Sequence, residues 1–319
     1  MRMSDKKRLK YIVVCLLMAV GLLAGCAGKQ IPDVSQWPDD IPLQAATGEV
    51  PFYPQEEYQC GPAALAMVLN WSGVPLTPDQ VAGWVFTPSL KGSLQPAMIA
   101  GARRSGRLAY EIRGNEALHR EVAAGHPVIV LQNLGLSWYP VWHYAVVIGY
   151  DGANGIIYLH SGTDADKQMP MALFQKTWAR SHDWGMLVMT PDQLPATVTE
   201  SDYLQAVLGL EKAGQTDAAL TAFETAHQKW PHNFVALMGI GNNFYALKDL
   251  IRAAAAFEKA TRLHPDAADA HNNLAQVLYE LGRLKEAEKS ARAAVALGGP
   301  HEKIYRQTLN QIESGGKNK

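Results

Sequence analysis

From about residue 200 onward the chain repeats itself with a period of 34 residues. Small or aromatic residues recur at this spacing: Ala219, Ala253 and Ala287; Ala226, Ala260 and Ala294; Phe223, Phe257 and Ala291. Turn and closing residues recur too: Gly214, Lys248 and Gly282; Pro231, Pro265 and Gly299. Units of this length bury a shared core only by stacking on their neighbours. The period therefore predicts that the chain ends in an all-α solenoid.

The composition of each unit resembles the tetratricopeptide repeat, in which small residues lie where paired helices touch. Three units are expected, at 200–233, 234–267 and 268–300, followed by a short capping helix to about Ile312, so that the repeat region covers 200–313. The resemblance implies a protein partner on the repeat surface. The alternative is an unrelated helical bundle that happens to repeat.

The amino terminus has the pattern of an export signal. Five basic residues among the first ten precede the apolar run Tyr11–Leu22, which is short for a membrane span. The segment Leu23-Ala24-Gly25-Cys26 then resembles a lipoprotein signal, in which the cysteine receives the lipid. This predicts a signal peptide over 1–25, lipidation of Cys26 and a tether over 26–48. A plain secretory signal is the alternative.

These features predict a location as well. A lipid-anchored protein of the bacterial cell envelope is expected, and Ala27 after the cysteine favours the outer membrane, facing the periplasm. The net charge of −1 provides no field for binding nucleic acid. Of the three cysteines, Cys15 would leave with the signal and Cys26 would become a thioether, so Cys60 would remain as a free thiol.

Residues 49–192 have a different sequence pattern, in which helix-forming segments precede strand-forming segments. Pro62–Trp71 is rich in helix formers and begins with proline, which suits a first helical turn. Apolar β-branched runs follow at 127–131, 144–150 and 155–159, and the last two are separated by a turn sequence. This order predicts an α+β domain ahead of the solenoid.

The segment Gln55-Glu56-Glu57-Tyr58-Gln59-Cys60-Gly61-Pro62-Ala63-Ala64-Leu65 contains the residue types of a thiol hydrolase. A cysteine at a helix amino terminus gains free N–H groups and the helix dipole, which favour the thiolate and lower its pKa. Its own N–H and a nearby glutamine amide can both donate to an oxyanion.

This segment resembles the double-glycine peptidases, a papain-like family that processes bacteriocins, over residues 49–165. The run from His143 to Tyr150 resembles the family's histidine strand. The resemblance implies that Cys60 is the nucleophile, His143 the general base and Gln55 the oxyanion donor. Gln55 precedes the cysteine by five residues, whereas the family usually has six.

The third catalytic position departs from the family pattern. The family has an aspartate at the end of the following strand, where this chain has His160. His160 is expected to accept a hydrogen bond from the Nδ1–H of His143, and Asp164 is the alternative. The position stays open between them.

The expected function is that of an envelope cysteine peptidase, an enzyme that cleaves a peptide or envelope protein through an acyl-thioester on Cys60. Two alternatives remain: a catalytically impaired scaffold that binds partners through its repeats, or a papain-fold acyltransferase or amidase. The histidines lack metal-ligand spacing and no phosphate-binding loop occurs, so no cofactor, metal or nucleotide is expected.

Overall fold

The structure is a computed structural model that describes residues 37–55 and 57–315. The predicted signal peptide, Cys26 and the first part of the tether lie outside the described residues. The amino-terminal domain contains these elements: β1 Gln44–Ala46, α1 Cys60–Trp71, α2 Pro78–Val85, β2 Phe86–Thr87, β3 Gly92–Ser93, α3 Gln95–Arg104, β4 Leu108–Arg113, α4 Asn115–Ala123, β5 Val128–Asn133, β6 Trp142–Asp151, β7 Ile156–Ser161, β8 Asp164–Pro170, α5 Met171–Trp178 and β9 Trp184–Met189.

A seven-stranded antiparallel sheet organises this domain. Its strand order is β4-β9-β5-β6-β7-β8, and β1 pairs with the last residues of β6. Alternate side chains of β6 enter two different cores, as a strand periodicity of two requires. Tyr144, Val146 and Ile148 pack with α1, whereas Ala145 and Val147 belong to the core on the other face. The α+β prediction is confirmed.

Part of the predicted tether is built into the domain. Trp37 stacks on His119 with ring centroids 4.5 Å apart, and its indole N–H donates to the carbonyl of Ile41. Residues 44–46 form β1 on the edge of β6 left free beyond β5. Residues 37–48 are therefore not a free tether, because their aromatic and backbone groups find partners on the sheet.

Seven helices complete the described chain, namely α6 Glu200–Lys212, α7 Thr216–Lys229, α8 Phe234–Ala246, α9 Leu250–Leu263, α10 Ala268–Glu280, α11 Leu284–Leu297 and α12 Glu302–Gly315. They pack as consecutive antiparallel neighbours, which matches the three predicted units and the capping helix. Gly239 and Gly241 leave no room for a Cβ, because the rings of Phe223 and Phe257 lie directly over them. Within residues 37–55 and 57–315, no helix combines the length and hydropathy needed to cross a membrane.

The two domains share one core. Leu108 and Tyr110 of β4 belong to the same buried cluster as Tyr203 and Val207 of α6. The connecting segment is fixed by Glu121, whose fully buried carboxylate accepts hydrogen bonds from the N–H groups of Ala196 and Thr197. The predicted boundary after residue 192 is therefore a packed junction, since polar and apolar contacts both cross it.

Glu121 also pairs with His126, whose Nδ1 lies 2.7 Å from its carboxylate. Burial acts to raise the pKa of Glu121, but the hydrogen bonds from His126, Thr197 and Ala196 outweigh it and lower the pKa below its usual range. A lowered carboxyl pKa stabilises the fold above the pKa of the unfolded state, and this stabilisation is lost as the pH falls through the folded value. The junction should therefore weaken in acid.

We expect Glu121→Ala to lower the free energy of unfolding by about 3 kcal/mol, because it leaves buried donors unpaired. Urea denaturation at pH 7 measures this loss. Glu116→Ala on the same helix is the control: Glu116 is 65% exposed and pairs with Arg120, and such pairs contribute less than about 1 kcal/mol. Equal losses in the two variants would contradict the role of Glu121 at the junction.

Candidate active site

The sheet separates between β6 and β7 near the start of β6. The last ladder pair at this end joins Val146 to His160, and the side chain of Gln55 enters beyond it. Its Nε2 donates to the carbonyl of Tyr144 at 3.3 Å, and its Oε1 accepts from the N–H of Gly162 at 3.0 Å. One amide hydrogen of Gln55 is therefore engaged with the strand, and the other has no partner among the described residues.

Cys60 is the first residue of α1, and it lies against the same part of β6. Its sulfur interacts with the backbone N–H of Tyr144, the residue that follows His143, and with the N–H groups of Gly61 and Cys60 itself. The preceding loop is strained, since Tyr58 has a φ of 65°. The structure thus brings Cys60, Gln55 and the start of β6 together, as the sequence predicted.

The helix terminus is expected to lower the pKa of Cys60, but burial has the opposite and larger effect. It raises the pKa of Cys60 above that of an ordinary thiol, although the three N–H groups act in the opposite direction. Burial, with a smaller contribution from the charge of Lys167, lowers the pKa of His143 to about 4. Both groups are therefore neutral near pH 7, which suits a histidine that accepts the thiol proton during attack rather than a resting ion pair.

His143 is held by a residue that sequence reasoning missed. Its Nε2 lies 2.9 Å from the Oγ of Ser161, a buried side chain at the end of β7. This contact leaves Nδ1 as the ring nitrogen without a hydrogen-bond partner among the described residues. A hydroxyl at this position orients the ring but adds no negative charge, which agrees with the low pKa of His143.

His160 does not take the role expected of it. Its Nε2 lies 3.0 Å from the carbonyl of Val50, and its Nδ1 accepts from the N–H of Asp166. Its ring packs edge-on against Phe52. Because His160 pairs with Val146, its side chain lies on the face of the sheet opposite to that of His143. His160 is therefore a buried structural histidine.

Asp164 is not the third residue either. It is exposed at the start of β8, and its carboxylate lies 3.6 Å from the Nζ of Lys167. Among the residues that the structure describes, Ser161 is the side-chain partner of His143. Groups of three or more metal-ligating side chains are also absent from this part of the chain.

A β-bulge decides between His160 and Ser161. The ladder of β6 and β7 pairs Gly149 with Tyr158 but Val147 with Leu159, so the register shifts by one residue between them. Without that shift Val147 would pair with His160, which would then share a face with His143. With the shift, Ser161 occupies that face. The sequence carries no clear signal for a bulge at this position.

Comparison with known families addresses the two domains. Residues 47–186 match the model of the Peptidase_C39 like family, and residues 240–302 match that of the tetratricopeptide repeat. The chain carries a C39-like peptidase domain followed by tetratricopeptide repeats. The predicted order of an α+β peptidase-like domain and a repeat solenoid is thereby confirmed.

Individual relatives cover parts of the chain. The uncharacterized proteins Rv1268c of Mycobacterium tuberculosis and Mb1299c of Mycobacterium bovis are each 40% identical over 86 residues, which is 22% of this chain and 37% of the relative. The chain thus spans little more than a third of these relatives. A crystal structure described as a C39-like peptidase from Bacillus anthracis is 18% identical, with a TM-score of 0.40, over 46% of this chain and 97% of that one.

The repeats have structural counterparts too. The first repeat domain of Spaghetti (RPAP3), bound to an HSP90 peptide, is 19% identical with a TM-score of 0.35, over 36% of this chain and 91% of that one. Tetratricopeptide repeats are a protein-interaction architecture with a concave surface. In this protein, α6, α8 and α10 line a cavity of about 280 Å³.

Gly61 is expected to be irreplaceable in α1. A Cβ at this position would lie 2.5 Å from the Oγ and 2.6 Å from the Cβ of Ser93, so β3 would have to move. We expect Gly61→Ala to lower the free energy of unfolding by about 1–3 kcal/mol, measured by urea denaturation. Gly83→Ala in α2 is the control, because it meets nothing within 4 Å and should be neutral or stabilising. A neutral Gly61→Ala would show that α1 is not held this tightly.

The environment of His143 is expected to set its titration. An NMR titration of its ring protons, assigned with His143→Gln, should have a midpoint near 4, and Ser161→Asp should raise that midpoint by about one unit or more because a carboxylate favours the imidazolium. Ser181→Ala, which removes a buried hydroxyl bonded to Trp178, should not shift it. A midpoint near 6.5 in the parent, or no response to Ser161→Asp, would contradict this site.

Proposed function

We propose that this protein is an envelope cysteine peptidase that cleaves a peptide or an envelope protein through an acyl-thioester on Cys60. The observation that carries the proposal is the convergence of three groups where β6 and β7 separate: the sulfur of Cys60, the carboxamide of Gln55 and the His143–Ser161 pair. A nucleophile, an oxyanion donor and an oriented base are the minimum set for acyl transfer to a thiol.

In the proposed reaction the neutral Nδ1 of His143 accepts the proton of Cys60 as the sulfur attacks the carbonyl carbon of the substrate. The Cys60 N–H and the free amide hydrogen of Gln55 donate to the resulting oxyanion. The imidazolium then gives its proton to the leaving amine, and the carbon–nitrogen bond breaks. Water hydrolyses the thioester with His143 again as the base, and the thiol is restored.

The role of Ser161 in this scheme is to hold His143 in one orientation. In this scheme the ring carries its remaining hydrogen on Nε2 and donates it to the Ser161 oxygen, which leaves the lone pair of Nδ1 free to accept the thiol proton. A hydroxyl stabilises the imidazolium less than a carboxylate does. We therefore expect a low turnover rate. The scheme therefore depends on geometry more than on charge.

The repeats are proposed to recruit the protein substrate or a partner. Their cavity is lined by the apolar side chains of Leu208 and Met238 and by the carboxamides of Asn242 and Asn273. Because the junction at Glu121 is packed, a protein bound there would be held in a fixed relation to Cys60. We also propose that Cys26 is lipidated and holds the protein on the outer membrane, facing the periplasm.

A second function has two observations in its favour. The raised pKa of Cys60 and the absence of a carboxylate on His143, among the described residues, are what an impaired domain would have. In that case the protein would be a scaffold whose repeats bind partners. An acyltransferase or amidase would use the same thioester with another acceptor or substrate.

The test compares the wild type with Cys60→Ala on a solubilised envelope fraction, with new protein amino termini identified by mass spectrometry. The peptidase is expected to produce termini that are absent with Cys60→Ala, and Gln55→Ala should lower their yield about tenfold or more, since one oxyanion donor contributes a few kcal/mol. If both proteins retain the same partners and neither produces new termini, the scaffold function is correct and the peptidase is excluded.

A further inference from the structure

The link between β5 and β6 forms an apolar hairpin over residues 134–142, immediately before His143. Two pairs of residues connect its arms. The N–H of Leu134 donates to the carbonyl of Val141 at 2.9 Å, and Leu136 and Tyr139 exchange two backbone hydrogen bonds of 3.0 and 3.1 Å. Ser137 and Trp138 make the turn between them. The hairpin therefore has a defined backbone with a tryptophan at its tip.

Polar groups brace the base of the hairpin. The Oδ1 of Asn133 accepts from the N–H groups of Gly135 and Val141, and the guanidinium of Arg180 donates to the carbonyls of Asn133 and Gly135. A side chain at Gly135 would collide with the backbone of Tyr139. Because the hairpin is ordered in advance, binding through it costs little conformational entropy.

The hairpin exposes its apolar side chains and contains no charged residue. Six of its nine residues are large apolar side chains that are at least 46% exposed: Leu134, Leu136, Trp138, Tyr139, Val141 and Trp142. Trp138 is 78% and Tyr139 69% exposed. A clustered apolar surface of this kind on a soluble domain marks an interaction site.

The shape and composition of the hairpin favour a lipid surface over a peptide. A peptide or small ligand is normally bound in a concave site that covers most of its surface, whereas Trp138 projects from a turn. Tryptophan and tyrosine concentrate at membrane interfaces, because their rings are apolar and carry one polar group. Two tryptophans, a tyrosine and three aliphatic residues without charge are suited to insertion between lipid head groups.

The length of the preceding chain permits contact with a membrane. Trp37 packs against Tyr150 near the far end of β6, about 26 Å from Trp142 at 3.3 Å per residue. Eleven peptide units separate Cys26 from Trp37, and they can span at most about 36–40 Å. A lipid on Cys26 and the tip of the hairpin can therefore reach the same bilayer.

We propose that the apolar hairpin inserts into the surface of the membrane and turns the candidate active site toward it. This inference rests on the proposed lipid anchor at Cys26. Since His143 directly follows Trp142, insertion brings the site close to the bilayer, and the substrate class becomes protein segments that emerge from or lie on the membrane. The lipid anchor would keep the protein near the membrane, and the hairpin would orient the candidate active site toward it.

The test measures membrane burial of the tip in the full-length, processed protein, reconstituted in vesicles of phosphatidylethanolamine and phosphatidylglycerol. In a Cys60→Ala background, Trp138→Cys is labelled with an environment-sensitive fluorophore. Ile251→Cys on α9 is the matched control, because Ile251 is also apolar and 75% exposed but lies in the repeats. Aqueous iodide and nitroxide-labelled lipids serve as quenchers.

We expect lipid nitroxides to quench the label at position 138 at least twofold more than the label at 251, and iodide to show the reverse preference. Equal access of iodide to both positions on vesicle-bound protein would overturn the proposal, and would leave the hairpin as a surface for a peptide or protein.

The Cys60→Ala parent, without an added cysteine, tests the lipid anchor at Cys26 separately from the hairpin. The parent should take no label, because Cys15 is expected to leave with the signal peptide and Cys26 to be a thioether. Label on the parent would mean that the anchor proposal has failed.

In that case, flotation of the unlipidated protein with the same vesicles tests the hairpin proposal. The double variant Trp138→Ser with Tyr139→Ser should abolish flotation, and Ile251→Ser should not. Failure of the parent to float would overturn the hairpin proposal as well.

Discussion

The position of β6 in the middle of the sheet is the constraint on which the candidate site depends. Residues 142–147 of the strand pair with β5, its residues from 146 onward pair with β7, and both of its faces are covered, so its backbone has little freedom. Tyr144 uses its N–H toward Cys60 and its carbonyl toward Gln55, while its ring packs under α1. One residue of the strand thus positions the nucleophile and the proposed oxyanion donor, and the preceding residue is the proposed base.

This burial has a chemical consequence. A site built into a sheet desolvates its thiol and its imidazole, and desolvation favours the neutral form of each group. In a solvated site the helix terminus would favour the thiolate, but here the loss of solvation is the larger effect. Ser161 then matters through orientation alone, because its hydroxyl cannot restore the imidazolium. The proposed peptidase would therefore couple proton transfer from Cys60 to the attack of its sulfur.

Because the two domains share one core, the repeats cover part of the sheet and are held in place against it. The buried carboxylate of Glu121 fixes residues 196 and 197, and α6 packs directly on β4. Removal of the repeats would expose apolar residues of the sheet, including Leu108 and Tyr110. The proposed partner on the repeats and the proposed substrate at Cys60 would therefore be coupled through packed contacts rather than through a flexible linker, and a substrate would have to fit both positions.

Much of this protein could be predicted from local patterns in its sequence. The 34-residue period determines the solenoid, and the cysteine before a proline-started helix determines the start of α1. The order of helices and strands gives the α+β domain. These features depend on residues close together in the chain, so spacing and composition are enough to find them. Two such local motifs carry the family resemblance that predicts Cys60, His143 and Gln55 as site residues.

Only the tertiary structure decided the partner of His143, the pKa of the thiol and the nature of the junction. A one-residue shift in the pairing of β6 with β7 puts Ser161, and not His160, on the face of His143. Burial of Cys60 depends on what α1 packs against, and Glu121 fixes a segment 75 residues away along the chain. Each of these outcomes depends on register and burial, which arise from contacts between residues distant in sequence, and local patterns therefore do not contain them.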